Sequence, residues 1–110
     1  MSFGSFIREK RLEKDYTVRK FAEKVDISPA FISRMERDEI DPPTEEKIVA
    51  MAQVLSMDSE ELIFMAKKMP NKIKNMLIDR PELVPLLRIA NTKNDVDLKH
   101  LIDIATGRKD

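Results

Sequence analysis

The sequence predicts an all-α protein. Apolar residues recur at helical intervals along most of the chain, strand-like alternation is scarce, and helix-starting residues stand in front of the periodic runs. With 110 residues and 42% hydrophobic content, the chain fits one compact domain with a modest core and a small helical appendage.

Phe3, Phe6 and Ile7 begin a first helix, with Leu12 near its end and Asp15-Tyr16 closing it. Thr17 is a good N-cap for a second, in which Phe21, Ala22 and Val25 form one buried stripe. Asp26-Ile27 makes a turn. Ser28 followed by Pro29 starts a third helix, because a serine hydroxyl accepts an orphan N–H and proline suits the first helical position. Phe31, Ile32 and Met35 give that helix its inward face. Two short amphipathic helices joined by so brief a break, from Thr17 to Arg37, have the grammar of a helix-turn-helix.

Asp41-Pro42-Pro43-Thr44 interrupts the helical pattern, and Thr44 caps a fourth helix over about Glu45 to Leu55, with Ile48, Met51, Ala52 and Leu55 inward. Asp58 with Glu61 resembles a capping box, and Leu62, Met65, Ala66 and Met69 extend a fifth stripe to Pro70. These five helices define a domain over residues 1–69. Residues 70–110 form a helical extension. Within it, Ile73, Met76 and Leu77 mark one segment, and Pro81 opens another through Leu83, Leu86, Leu87 and Ala90, with Pro85 near its first turn. Asn94 or Asp95 caps a last helix through Leu98, Leu101, Ile102 and Ala105, ended by Gly107 and followed by the charged Arg108-Lys109-Asp110. So few apolar positions cannot make an independent core; the extension must pack on the first five helices, pack on another copy, or stay partly mobile.

Composition narrows the function. There is no cysteine, hence no disulfide framework, zinc–cysteine site or thiol nucleophile. No signal-like leader precedes the charges at the N-terminus and no apolar run approaches a membrane span, so a cytoplasmic protein without membrane contact is expected. His100 is the only histidine, Gly4 and Gly107 are the only glycines, and the carboxylates read as helix surface and caps. No enzyme, metal site or cofactor is expected from such a set. The seven methionines fall mainly on apolar stripes and read as core filling. Twenty Lys and Arg balance twenty Asp and Glu, but unevenly. Residues 1–37 hold nine basic side chains (Arg8, Lys10, Arg11, Lys14, Arg19, Lys20, Lys24, Arg34, Arg37) against six acidic ones, whereas 38–68 hold three against eight. An electropositive face opposite an acidic back suits oriented docking on phosphates.

From Phe3 to about Lys68 the chain resembles the helix-turn-helix domain of the Cro and phage-repressor (Xre) type, a lambda-repressor-like fold used by transcription regulators. The carriers are Thr17-Val-Arg-Lys-Phe-Ala22, Ile27-Ser-Pro-Ala-Phe-Ile-Ser-Arg-Met-Glu-Arg37, Pro43, the Ala52–Leu55 run and Asp58-Ser-Glu-Glu-Leu62. The resemblance places Ala22 and Ile32 at the crossing of the second and third helices. It makes Arg11 and Glu36 a partly buried structural ion pair, a role that outweighs phosphate contact by Arg11. Asp26 and Asp38 stand where the family often has glycine, so both need left-handed backbone at a cost of roughly 1 kcal/mol each. Val18 replaces a customary DNA-contacting glutamine, with Arg19 as the substitute on the backbone.

The resemblance implies that the helix from about Ser28 to Arg37 enters the major groove of operator DNA as a sequence-specific regulator, a repressor by expectation. Pro29, Ala30, Ser33 and Arg34 are the expected base contacts, with Arg34 able to donate two bonds to guanine O6 and N7. Thr17, Val18, Arg19, Lys20 and Arg37 are the expected phosphate contacts. One domain offers few contacts, so a homodimer on a palindromic site is expected, with the stripes at Leu83–Ala90 and Leu98–Ala105 as its interface. The rival reading is an antitoxin-like regulator of the same fold that clasps a protein partner through its C-terminal helices.

Overall fold

A computed structural model describes residues 1–107, so the charged end Arg108–Asp110 lies outside the described residues. Every regular element among these is a helix. Two compact units result, Met1–Pro70 and Asn71–Asp110.

The first unit contains α1 (Phe3–Glu13), α2 (Val18–Val25), α3 (Pro29–Glu36), α4 (Glu45–Val54) and α5 (Ser59–Met65). Helix α3 packs against α1 and α2, while α4 joins α2 to α5. Phe21, Ile7, Ile32, Met35, Ile48, Met51 and Leu62 are the largest wholly buried side chains of the shared core. Ala22 and Ile32 are both buried where α2 meets α3, and the small alanine lets the two helices approach.

Capping chemistry starts four of these helices. Ser2, Thr17, Ser28 and Asp58 each accept a hydrogen bond from the backbone N–H three residues on, at 3.0–3.1 Å. Thr44 occupies the N-cap position of α4 but its side chain makes no capping bond. Glu45 and Glu46 in the first turn supply negative charge at that helix end instead.

All five helices stop in the same way. Asp15, Asp26, Asp38, Ser56 and Lys67 have φ between 55° and 59°, and none is glycine. Each left-handed residue, with the residue after it, donates its N–H back into the last turn, as in Asp38 to Met35 and Glu39 to Arg34. The aspartate at 38 gains a partner that glycine could not provide: Ser2 Oγ donates to Asp38 Oδ2 at 2.7 Å. The contact sets a carboxylate beside the N-terminus of α1, where the helix dipole favours it. Gly4 permits this approach, because a Cβ there would collide with the Met35 carbonyl oxygen and lie 2.7 Å from Asp38 Oδ1.

Several expectations need correction. Helix α5 ends at Met65, since Lys67 turns the chain left-handed, and Met69 is exposed rather than part of the stripe. Ile63 is buried in its place. Phe31 is only half-buried, and Met1, Met69 and Met76 are exposed, so methionine as core filler holds for Met35 and Met51 alone at full burial.

The second unit contains α6 (Asn71–Asp79), α7 (Leu83–Ala90) and α8 (Asp95–Thr106). Pro81 precedes α7 by two residues rather than opening it, and Pro85 sits in its first turn. Asn94 Oδ1 caps α8 through the Asp97 N–H at 2.8 Å, and Gly107 ends it at φ 74°. Leu86, Leu87, Ile89, Leu101, Ile102 and Ile104 are all about half or more exposed, and no residue of α6, α7 or α8 is buried.

Candidate nucleic-acid interface

The Ser28 cap and Pro29 at its first position fix where α3 begins, and the burial of Ile32, Met35 and Glu36 fixes which face is inward. Pro29, Ala30 and Arg34 are consequently turned to solvent. Ser33 is half-buried and lines a cleft of about 360 Å³ with Arg8, Arg11, Val18, Glu36 and Arg37. Its hydroxyl is thus less available than the other three groups.

The start of α2 borders the same cleft. Thr17 Oγ1 accepts from the Lys20 N–H at 3.0 Å, which uses a lone pair and leaves the hydroxyl proton able to donate to an anion. Val18 is half-buried against the core, so only its backbone N–H remains for a phosphate. The first amides of a helix have no intrahelical acceptor, and here they belong to Val18 and Arg19. Arg19 and Lys20 are exposed.

Beneath the cleft lies the pair that ties α1 to α3. Arg11 Nε donates to Glu36 Oε2 at 2.8 Å and Nη2 to Oε1 at 2.9 Å, a two-point fork with both side chains buried. Nη1 donates to the Tyr16 carbonyl at 2.8 Å, so one guanidinium also anchors the turn ahead of α2. The hydrogen bond to Glu36 holds the Arg11 pKa above its ordinary value despite desolvation. With all three donating nitrogens committed, Arg11 is built as a strut.

Two groups at this face escaped sequence reasoning. Arg8 is exposed on α1 and reaches the cleft shared by Val18, Ser33 and Arg37; its position one residue past Ile7 carried no motif to reveal it. Glu39, beyond the helix, accepts from Arg37 Nη2 at 2.9 Å and lies 3.9 Å from Arg34 Nε. The hydrogen bond from Arg37 holds the Glu39 carboxyl below its usual range. Helical spacing could not show this contact, because it depends on the left-handed turn at Asp38.

Among the described residues, no cluster of histidine and carboxylate side chains is grouped to hold a metal ion. No helix there is long and apolar enough to cross a membrane.

Comparison with known proteins agrees with this geometry. The chain is similar to SinR, a master regulator for biofilm formation, in its crystal structure with DNA: 26% identity, 56% of this chain and 97% of that chain covered, TM-score 0.52. It shares its fold with a chain of a SinR–SinI complex at 17% identity, with 94% of each chain covered and a TM-score of 0.54. It also shares it with the clp gene regulator ClgR from Corynebacterium glutamicum, at 20% identity, 83% of this chain and 92% of that chain covered, and a TM-score of 0.51. No curated protein matches the sequence. The family described as helix-turn-helix matches residues 7–62, which span α1 to the middle of α5 and include every side chain of the cleft. The chain therefore belongs to the Cro-type helix-turn-helix family of DNA-binding transcription regulators.

Proposed function

We propose that the chain is a sequence-specific operator-binding protein, without enzymatic activity, that acts as a repressor in homodimeric form in the cytoplasm. The observation that carries the reading is the division of α3 into a buried face and a solvent face that presents Pro29, Ala30 and Arg34, beside the open start of α2. In the proposed complex α3 lies in the major groove and Arg34 reads a guanine. Thr17, the amides of Val18 and Arg19, and the side chains of Arg19, Lys20 and Arg37 set register on phosphates. Repression follows from occupancy, since a protein seated in the groove of promoter DNA excludes other proteins from it. Gel shifts on the chain's own promoter DNA at two salt concentrations test the reading. Arg34→Ala should relax preference at one base pair, whereas Arg19→Ala should weaken all sequences alike. Binding without sequence preference, or without loss as salt rises, would refute it.

The exposed apolar residues of α7 and α8 support a two-protomer arrangement, which sets recognition helices about 34 Å apart on a palindrome. They support equally the second reading, capture of a protein partner as in the SinR–SinI complex. Truncation after Pro70 separates the two. A fall from dimer to monomer mass in light scattering, with weaker operator binding, supports the homodimer; unchanged mass refutes it.

A further inference from the structure

Glu39 stands outside the recognition helix, yet its carboxylate lies beside Arg34 of that helix and Arg37 at its C-cap. One oxygen, Oε2, accepts from Arg37 Nη2 at 2.9 Å and stands 3.9 Å from Arg34 Nε. The chain path produces this. Asp38 turns at φ 59°, and the Glu39 N–H then bonds the Arg34 carbonyl at 2.9 Å, so Glu39 is anchored on the residue whose side chain it faces. The three side chains are all about half exposed, and none is needed for the core.

We propose that Glu39 is a specificity-determining positioning residue of the DNA interface, orienting Arg34 through Nε and opposing its loose capture by phosphate. The inference rests on the DNA reading above. A bidentate guanine contact needs two adjacent N–H groups of a guanidinium held in one plane. At 3.9 Å the carboxylate is a charge neighbour of Nε rather than its hydrogen-bond acceptor, and its attraction favours conformers that keep the Nε edge toward Glu39 and leave Nη1 and Nη2 for the base edge. The same negative charge serves discrimination in a second way. Any duplex brings phosphates toward Arg34 and Arg37, and a fixed carboxylate between the two arginines weakens that sequence-independent attraction. Discrimination is a difference of affinities, so the charge counts because it penalises the loose mode, with Arg34 on phosphate, more than the seated mode, with Arg34 on a guanine.

The test uses the full chain with Glu39→Gln, which removes the charge, and Glu39→Asp, which keeps it but is one methylene shorter. Wild-type protein first selects a duplex from a randomised library. Arg34→Ala then identifies the base pair that Arg34 reads. Glu39→Gln should bind a random-sequence duplex more tightly, with a log–log salt slope steeper by about 1, as for one more neutralised phosphate. Its preference at the Arg34 base pair should fall by about fivefold, the lower range of a single bidentate contact. Glu39→Asp should bind random duplex as wild type does, yet lose preference at the same base pair. Because preference is a ratio of two affinities, a partly unfolded variant does not alter it. Preference within twofold of wild type in both variants, or a salt slope for Glu39→Gln no steeper than wild type's, would overturn the inference while leaving the DNA reading intact. A library from which wild-type protein enriches no sequence would overturn both.

Discussion

The buried fork between Arg11 and Glu36 allows a quantitative test of what holds α3 in place. The side chains retain 7% and 6% of their exposure and share two hydrogen bonds of 2.8 and 2.9 Å, so both charges are largely removed from water. Breaking such a pair from one side costs about 3–5 kcal/mol, because the surviving charge stays buried without its partner. A folded unit of this size has of order 4–10 kcal/mol in total. Glu36→Gln keeps an acceptor and belongs at the low end of the range. Arg11→Met belongs at the high end, since it strands the Glu36 carboxylate and also removes the donor to the Tyr16 carbonyl. The double substitution Arg11→Met with Glu36→Met strands neither charge and should cost clearly less than the two single changes together, a coupling of at least ~2 kcal/mol. Urea denaturation followed by far-ultraviolet circular dichroism gives all four corners of the cycle. Single changes below ~1 kcal/mol that simply add would refute the strut and point to a pair worth no more than a surface ion pair. A stable Arg11→Met protein that had lost only DNA affinity would instead make Arg11 a phosphate contact.

Three further outcomes follow from the turns around α3. Asp26→Gly should stabilise by up to about 1 kcal/mol, because among the described residues no side-chain hydrogen bond of Asp26 offsets its left-handed backbone at φ 55°; Asp38→Gly should instead be neutral or destabilising, since it loses the 2.7 Å bond from Ser2, and paired thermal melts check the contrast. Gly4→Ala should destabilise by roughly 1–3 kcal/mol by pushing α1 off the Met35 carbonyl, and a melting temperature within experimental error of wild type would contradict the close approach. In a carboxyl NMR titration Glu39 should have its midpoint below the 4.5 of an unperturbed glutamate. A carboxyl lowered in the folded state contributes stability above its unfolded value and loses it as pH falls through the lowered one, so the pair with Arg37 persists throughout neutral pH. Arg37→Ala should move that midpoint back up.

The residues that made the fold legible are those whose local chemistry has one good solution. Ser28-Pro29 can hardly do other than start a helix, and Phe21-Ala22 with Ile32 and Met35 can bury only one face of each helix. The helix ends were half legible. Asp26 and Asp38 stood out against the glycine of the family, but Asp15, Ser56 and Lys67 adopt the same left-handed backbone without any such signal. Serine and lysine have little preference for that region, and it is the hydrogen bonds back into the preceding turn that impose it. The missed end of α5 has this cause, since the apolar period continues to Met69 while the backbone turns at Lys67. At the candidate interface, residues on α2 and α3 could be placed on a face by counting. Glu39 could not, because it meets Arg34 across five positions only after the chain has doubled back.

Pairing also accounts for a DNA-binding fold whose net charge is zero. Of the basic residues in 1–37, Arg11 is neutralised by Glu36 and Lys10 by Glu13 at 3.3 Å, while the single charge of Glu39 is shared by Arg37 and Arg34 and leaves one positive charge between them. Lys14 donates to the Ser56 hydroxyl and Lys24 lies over the Tyr16 ring. Arg8, Lys14, Arg19, Lys20 and Lys24 are left with no ion pair among the described residues, and all five are exposed. Phosphate attraction grows with the number of basic side chains that neutralise phosphates, and each ion pair at this face subtracts from that number. In the proposed complex each such subtraction leaves more of the binding to contacts that depend on sequence and to a second protomer bound alongside. On that proposal the acidic groups among the arginines limit binding at wrong sites, and Arg34 and its neighbour Glu39 are the positions at which substitution should change recognition.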